Sequence, residues 1–518
     1  KNKTQTKLWR VVNKINHKLN PSLEPKMVAA NSVLIIGAGV AGIRTAELLE
    51  NAGMSVTVLE GRDRVGGRMH TSAFNSTGDK IDLGAAWIDY VGEKNPVAKL
   101  AMDQDIELLR SDYMDENNAV ILSEQREKLR QLLTAFENWV SKNYGSKVFT
   151  EALFCRSWLP RWLCDKFKFP DESVYDVIQK YFEQEKVDKA LHASFLAVVS
   201  TALSINEVAN LKDISIKKTI LPLSDQWTLS GHSAFPEQGY FQVFQSLYMR
   251  FKPNIKLGHK VVEITRDDNS CTVRTVDGKV FQSDYCVCTV PLGVLKKNVI
   301  QFKPELPQEM RNAIQSHGWG TINKIALLFD DPWWKDFDKP DTQFLVRDSD
   351  PWDQNVAWLD LYSSKRQPIL VVFNVATPWE TSERTDYNVG KSWKTSGKTD
   401  KEVTEDAMQM LRAKFPNAPN PKEYIVTHWD TDEFAFGSYS SQSHMNTNSR
   451  ETGRILSTPL PNDRLFFAGE HLFYTNPGYI FSAYRSAEYT AEQVLGKPGR
   501  SAPRPKSLLR EIFDAIWS

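Results

Sequence analysis

The stretch Gly37-Ala38-Gly39-Val40-Ala41-Gly42 limits what this chain can fold into more than any other. It follows a short apolar run, Ser32 to Ile36, and opens a segment, Val40 to Asn51, that reads as a helix closed by Gly53. Ser55 to Leu59 then alternates as a second strand. Strand, glycine turn, helix and strand in this order make a βαβ opening for a dinucleotide. Gly37 permits the tight turn, Gly39 lets backbone approach a pyrophosphate, and Gly42 lets helix and strand pack closely. The helix N-terminus presents free N–H groups to phosphate charge. Glu60 ends the second strand, where a carboxylate accepts both ribose hydroxyls of an adenosine and repels a 2′-phosphate, which argues against NADP. The competing reading is a structural glycine turn without a ligand.

Directly after comes Arg62-Asp63-Arg64-Val65-Gly66-Gly67-Arg68. Gly66 and Gly67, flanked by Arg62 and Arg68, predict a second backbone approach to a phosphate with guanidinium to neutralise it. Nicotinamide-only proteins do not need such an element, so it points to a flavin.

At 518 residues the chain exceeds a single core, and two or more domains are expected. Lys+Arg and Asp+Glu balance at 64 each, so no basic field exists to hold nucleic acid. No apolar run is long enough to span a bilayer. Five cysteines are too few for a disulfide scaffold. Cys286 and Cys288 read as inert core thiols, and Cys155 and Cys164 could pair in an oxidising compartment. No metal site is expected. Because Lys1 is not Met, an upstream segment is expected. Sequons at Asn2 and Asn75 lean toward an extracellular or secretory location, against cytoplasmic or peroxisomal alternatives.

Residues 1–27 form a basic extension with Leu8, Val11, Val12, Ile15 and Leu19 at helical spacing, and 497–518 a tail ending in an amphipathic helix. Each end can dock on the body, on a partner subunit or on a membrane surface, and a monomer or homo-oligomer fits equally. Between them, about Asn95 to Ala209 reads as helical. Strands return at Val261 to Ile264, Cys271 to Val276 and Tyr285 to Val290; Asp330 to Glu402 reads as turns rich in Trp and Pro; a strand and helix close the body from Leu465 to Leu495.

The chain resembles the flavin amine oxidases from about Val33 to Leu495. Glu60 to Arg68 is similar to their E-x-R-x-R-x-G-G-R signature, and Asp82-Leu83-Gly84-Ala85-Ala86-Trp87 to their D-x-G-A-x-W segment. Thr289 to Lys296 resembles T-x-P-L-G-V-L-K, and Asn323-Lys324-Ile325 resembles N-K-[VI]. Trp429 with Gly437-Ser438-Tyr439-Ser440, Phe467-Ala468-Gly469-Glu470-His471 and Gly478-Tyr479-Ile480 complete the series.

The resemblance implies an α/β architecture: a discontinuous Rossmann-type FAD-binding domain (28–95, 232–325, 445–496) interleaved with an α+β substrate domain (96–231, 326–444). It implies FAD, a small-molecule amine and O2, with a hydride equivalent passing from the amine α-carbon to flavin N5. The imine then hydrolyses to aldehyde and amine, and O2 is reduced to H2O2. Lys324 is implied to hold a water near the flavin and assist oxygen reduction. Tyr439 and Tyr479 are implied to sandwich the substrate, with Trp429 on the flavin edge or cavity wall. Gly84, Ala85, Ala86, Trp87, Val261, Gly469, Glu470, Gly478 and Ile480 are implied to contact the cofactor, Glu470 at the ribityl chain.

Asp89 stands where family members often carry His or Glu, and a carboxylate at a pocket mouth would attract spermine, spermidine or acetylated forms. Ser482 replaces a glycine of the usual G-Y-V-H-G-A and would narrow the wall. The alternatives are an L-amino acid oxidase, although no arginine stands in Ala85 to Ile88 to clamp a carboxylate, and a flavin-binding scaffold without turnover. A histone-lysine demethylase should carry an added helical domain, and a monoamine oxidase a flavin-linking Cys, yet no Cys follows Cys288.

Overall fold

A computed structural model of the chain describes residues 31–111, 119–121, 125–145, 171–220, 232–334, 344–346, 356–376, 397–441, 449–459, 464–473 and 476–496. The two terminal segments, Asn2, Cys155 and Cys164 lie outside the described residues.

The strand Ser32–Ile36 pairs in parallel with Ser55–Leu59 on one side and Tyr285–Cys288 on the other. Leu465–Phe467 and Ile255–Lys256 complete a five-stranded parallel sheet. Parallel sheets are covered on both faces, which is why Val33 to Ile36 is apolar without interruption. The period of two then divides it. Val33 and Ile35 face the helices Val40–Asn51 and Ile480–Val494, while Leu34 and Ile36 face a four-stranded sheet built around Val261–Arg266 and Cys271–Thr275. In Val40–Asn51, Ile43, Ala46 and Leu49 share the buried face, and Gly53 at φ +88° ends the helix. This is a Rossmann-type unit.

A second, seven-stranded sheet carries Gly318–Leu328 one strand in from its edge. That strand pairs with Ile369–Ala376, Glu423–Val426 and Tyr439–Ser441, all antiparallel. It is buried along its whole length. Ile322, Ala326 and Leu328 face a core shared with the helices Arg126–Val140, Val174–Gln184 and His192–Glu207, whereas Ile325 and Leu327 face the helix Asp400–Lys414. Thr399 and Glu402 start that last helix with a reciprocal capping box.

Four expectations change. The boundary at residue 325 cuts through Gly318–Leu328, because hydrogen bonding places the whole strand in the seven-stranded sheet. The helix Pro96–Met102 packs Val97, Ala98 and Ala101 into the core of the Rossmann-type unit, not the substrate unit. Leu108–Ser111 and Ala119–Ile121 are strands inside the stretch read as helical, because each finds a partner distant in sequence, Ser233–Pro236 and Phe344–Val346. Ile369–Ala376 is a full strand inside the stretch read as turns. Asn75 is exposed in the turn between the strands Thr71–Ala73 and Lys80–Asp82.

Candidate active site

One continuous cavity runs between the two sheets. Of the residues assigned above to cofactor or substrate, all but Gly42 and Ser482 line it. Ser482 does not narrow the wall as expected, because it is fully buried with its Oγ donating to Asn476 O. At one end two glycine turns meet. Gly37 takes φ +104° and donates its N–H to Leu59 O at 2.8 Å. A Cβ on Gly42 would stand 2.0 Å from Gly37 O, so that glycine serves close packing. Gly39 differs. Its φ of −78° suits any residue, and a Cβ there would meet no protein atom within 4 Å. It lines the cavity at the N-terminus of the helix Val40–Asn51. Gly66 bridges to Gly39 and donates its N–H to Ala38 O at 2.9 Å, which stacks the second turn on the first.

Glu60 accepts from the amides of Ala38 at 2.7 Å and Arg62 at 2.8 Å, one on each oxygen. Burial pushes its carboxyl up, and the two amides offset that only in part. A carboxylate has about four lone-pair sites, so acceptor capacity remains for hydroxyls. The guanidiniums of Arg62 and Arg68, expected to neutralise a phosphate, are each held by an acid. Arg62 is paired with both oxygens of Asp432 at 2.7 Å, and Arg68 donates to Glu470 and to Ser438 O at 2.8 Å. The bonds to Asp432 and Ser438 tie the second glycine turn to segments flanking the far sheet. Glu470, which follows Leu465–Phe467 of the near sheet, gives Arg68 the counter-charge that a half-buried guanidinium needs.

At the other end stands Lys324, buried on the strand Gly318–Leu328. Its Nζ donates to Asp82 O at 2.8 Å and Gly84 O at 2.5 Å, and lies 5.4 Å from the ring centre of Phe373, its cross-strand partner. Burial lowers its pKa to about 8; Asp82 opposes this and Lys365 adds to it. Asn323 accepts from Trp429 N at 2.8 Å, and Trp429 Nε1 donates to Leu83 O at 3.1 Å, which fixes the indole on the wall. Val261, buried, begins its strand at the opposite wall.

Tyr439 and Tyr479 enter the same space, and burial raises both hydroxyls well above their usual range, so they stay protonated. Asp89, 9% exposed, accepts from Ser233 Oγ at 2.7 Å, and its charge acts on both tyrosines. Glu207 acts on both as well and accepts from Ser441 Oγ at 2.6 Å. Sequence reading missed Glu207 and Phe373. Glu207 ends a helix distant from every motif, and only the register with Lys324 singles out Phe373.

Residues 40–495 match the flavin containing amine oxidoreductase family. The chain belongs to this family. It is an FAD-dependent amine oxidase, with a small-molecule amine and O2 as its reactants. It is 30% identical over 482 residues to polyamine oxidase 4 of Oryza sativa subsp. japonica, covering 92% of this chain and 91% of the relative. It is 30% identical over 466 residues to probable polyamine oxidase 4 of Arabidopsis thaliana, covering 88% and 84%. Lysine-specific histone demethylase 1 homolog 2 of Oryza sativa is 27% identical over 481 residues, which cover 92% of this chain and 58% of that relative.

The residues present fit the cofactor of an amine oxidase. Open space over Gly39 leaves room for a diphosphate where the backbone itself would tolerate a side chain. The buried Glu60 stands beside that turn with acceptor capacity left for a ribose.

Proposed function

We propose that this amine oxidase acts on a polyamine, spermine, spermidine or an acetylated form. The observation that carries the reading is Asp89: a buried carboxylate on the wall of the cavity that also holds Lys324, Tyr439 and Tyr479. A negative group inside a low-dielectric cavity attracts a chain carrying several ammonium groups. Glu207 adds a second negative charge near the same tyrosines. The relatives named polyamine oxidases support the reading. An L-amino acid substrate would need a guanidinium for its carboxylate, and both arginines lining the cavity are already paired with acids.

In this reading the glycine turns and Glu60 hold the nucleotide half of FAD, with Arg62 and Arg68 behind them, and Gly84 to Trp87, Val261, Trp429, Gly469, Glu470 and Gly478 to Ile480 form the rest of its bed. FAD, when bound, supplies the two-electron acceptor that side chains lack. Tyr439 and Tyr479 hold the amine between neutral π faces, and Asp89 anchors a distal ammonium. Lys324 keeps a proton at Nζ beside the amine-oxidising end of the cavity, where positive charge favours reduction of O2.

Anaerobic mixing with spermine, followed through the visible flavin absorbance, tests the proposal. Bleaching is expected, with peroxide formed once O2 is admitted. Bleaching by an amino acid or a simple monoamine, with none by any polyamine, overturns it.

A further inference from the structure

Tyr439 and Tyr479 come from separate elements, the first at the head of the strand Tyr439–Ser441, the second just before the helix Ile480–Val494. Nothing in either element fixes the distance between the rings. One buried carboxylate reaches both. Glu470 Oε2 accepts from Ser440 Oγ and from Gly478 N, the latter at 2.7 Å. One oxygen therefore holds the residue following Tyr439 and the residue preceding Tyr479. Its other oxygen accepts from Arg68 Nη1 at 2.8 Å, and the same nitrogen donates to Ser438 O, the residue preceding Tyr439, at 2.8 Å.

The strand geometry explains the arrangement. Successive side chains point to opposite faces, so Tyr439 lines the cavity while Ser440 lies outside its lining and bonds to Glu470 at the cavity's edge. The two segments also touch. Gly478 takes φ +92°, and a Cβ there would stand 2.9 Å from Ser440 O and 3.2 Å from Tyr439 Cδ2. From its other side, Tyr479 is backed by Phe481, stacked at 5.0 Å between ring centres, and by Tyr90 at 6.0 Å. Glu470 itself is 4% exposed. Burial alone would raise its pKa, but Arg68 foremost holds it below its usual range, so it remains an acceptor.

We infer that Glu470 and Ser440 are positioning residues that set the width of the gap between Tyr439 and Tyr479, and so select amines by the cross-section of the group beside the reacting nitrogen. The inference rests on the reading of these tyrosines as the substrate walls. It assigns Glu470 a task separate from any contact with the cofactor, and Ser440, which does not itself line the cavity, carries that task from behind Glu470.

Ser440→Ala tests it, because it removes one hydroxyl and leaves the Arg68 and Gly478 bonds to Glu470 in place. Wild type and variant are compared as holoenzymes over a series of amines of equal length that runs from unbranched to N-benzyl. The expected result is unchanged FAD content and a shift of about fivefold or more in the kcat/KM ratio of wide to slender amines, carried by KM and not by kcat. An unchanged ratio with FAD retained overturns the inference, and so does loss of FAD from the variant, which would make Ser440 part of the cofactor cradle. If no amine of the series reduces the wild type, the reading of the tyrosines as walls fails first. If the wild type discriminates and the variant discriminates identically, only the tether fails.

Discussion

Gly39 and Gly42 belong to one turn, yet they exclude a side chain for different reasons. Gly42 is pressed against Gly37 O, so Gly42→Ala must displace backbone and should destabilise the fold by about 1–3 kcal/mol. Gly39 faces open cavity, so Gly39→Ala should leave the apoprotein's thermal midpoint unchanged and abolish FAD retention. Thermal melts of the apo forms, with flavin absorbance per protein, separate the two; a yellow Gly39→Ala protein would mean that no diphosphate lies there. Lys324 holds a charge whose pKa is about 8, so the rate of oxygen reduction should fall as pH rises through that value. Lys324→Met should slow that step by about 10²-fold and remove the inflection, read by stopped-flow mixing of reduced enzyme with O2. Asp89→Asn keeps an acceptor for Ser233 and loses only charge. It should raise KM for spermine about tenfold relative to a monoamine, the effect of about 1.4 kcal/mol.

At the scale of elements, the strand Gly318–Leu328 joins the chemistry to the scaffold. Lys324 N donates to Thr427 Oγ1 at 2.7 Å and Thr427 N to Lys324 O at 2.9 Å. Asn323 adds bonds to Trp429 N and, at 3.0 Å, to Asp430 Oδ1. The strand and the 427–430 segment are thus held in one register, which fixes lysine and indole together. Asn323→Ala leaves a buried amide and a half-buried carboxylate oxygen without that partner, which costs about 1–3 kcal/mol. Urea unfolding with excess FAD should show that loss, and weaker FAD retention should accompany it. Stability like wild type would mean the clasp is not what holds Trp429.

For the whole molecule, acid sensitivity follows from its interior. His471 is 2% exposed, and burial lowers its pKa to about 4, with Glu470 opposing and Arg68 adding. Unfolded, the imidazole titrates near 6.5. Between those values the unfolded chain binds a proton that the native one refuses, so this contribution to stability declines as pH falls from about 6.5 toward about 4. By about pH 5 roughly 2 kcal/mol is lost. Thermal midpoints of the holoenzyme should drop across that range, and the slope should be shallower in His471→Gln. Equal slopes would show that His471 is not the cause.

The βαβ opening was legible because every signal there is local. Ser32–Ile36, Val40–Asn51 and Ser55–Leu59 lie where their apolar periodicity puts them, and the glycine turn carries its own chemistry. Motif order likewise singled out Lys324, Tyr439, Tyr479 and the segments around them, which the fold gathers on one cavity. What periodicity could not convey is pairing across the chain. The strands Leu108–Ser111 and Ile369–Ala376 exist because Ser233–Pro236 and Gly318–Leu328 stand ready to bond them. In the same way Arg62 met Asp432 and not a bare phosphate site, Phe373 came under Lys324, and Glu470 took hold of the segments bearing both tyrosines. Local sequence determined the βαβ opening and the motifs that the cavity gathers. Their partners, separations and charge states were decided only when folding brought distant segments into a shared, water-poor interior, where a buried charge or hydrogen-bonding group must be matched by another.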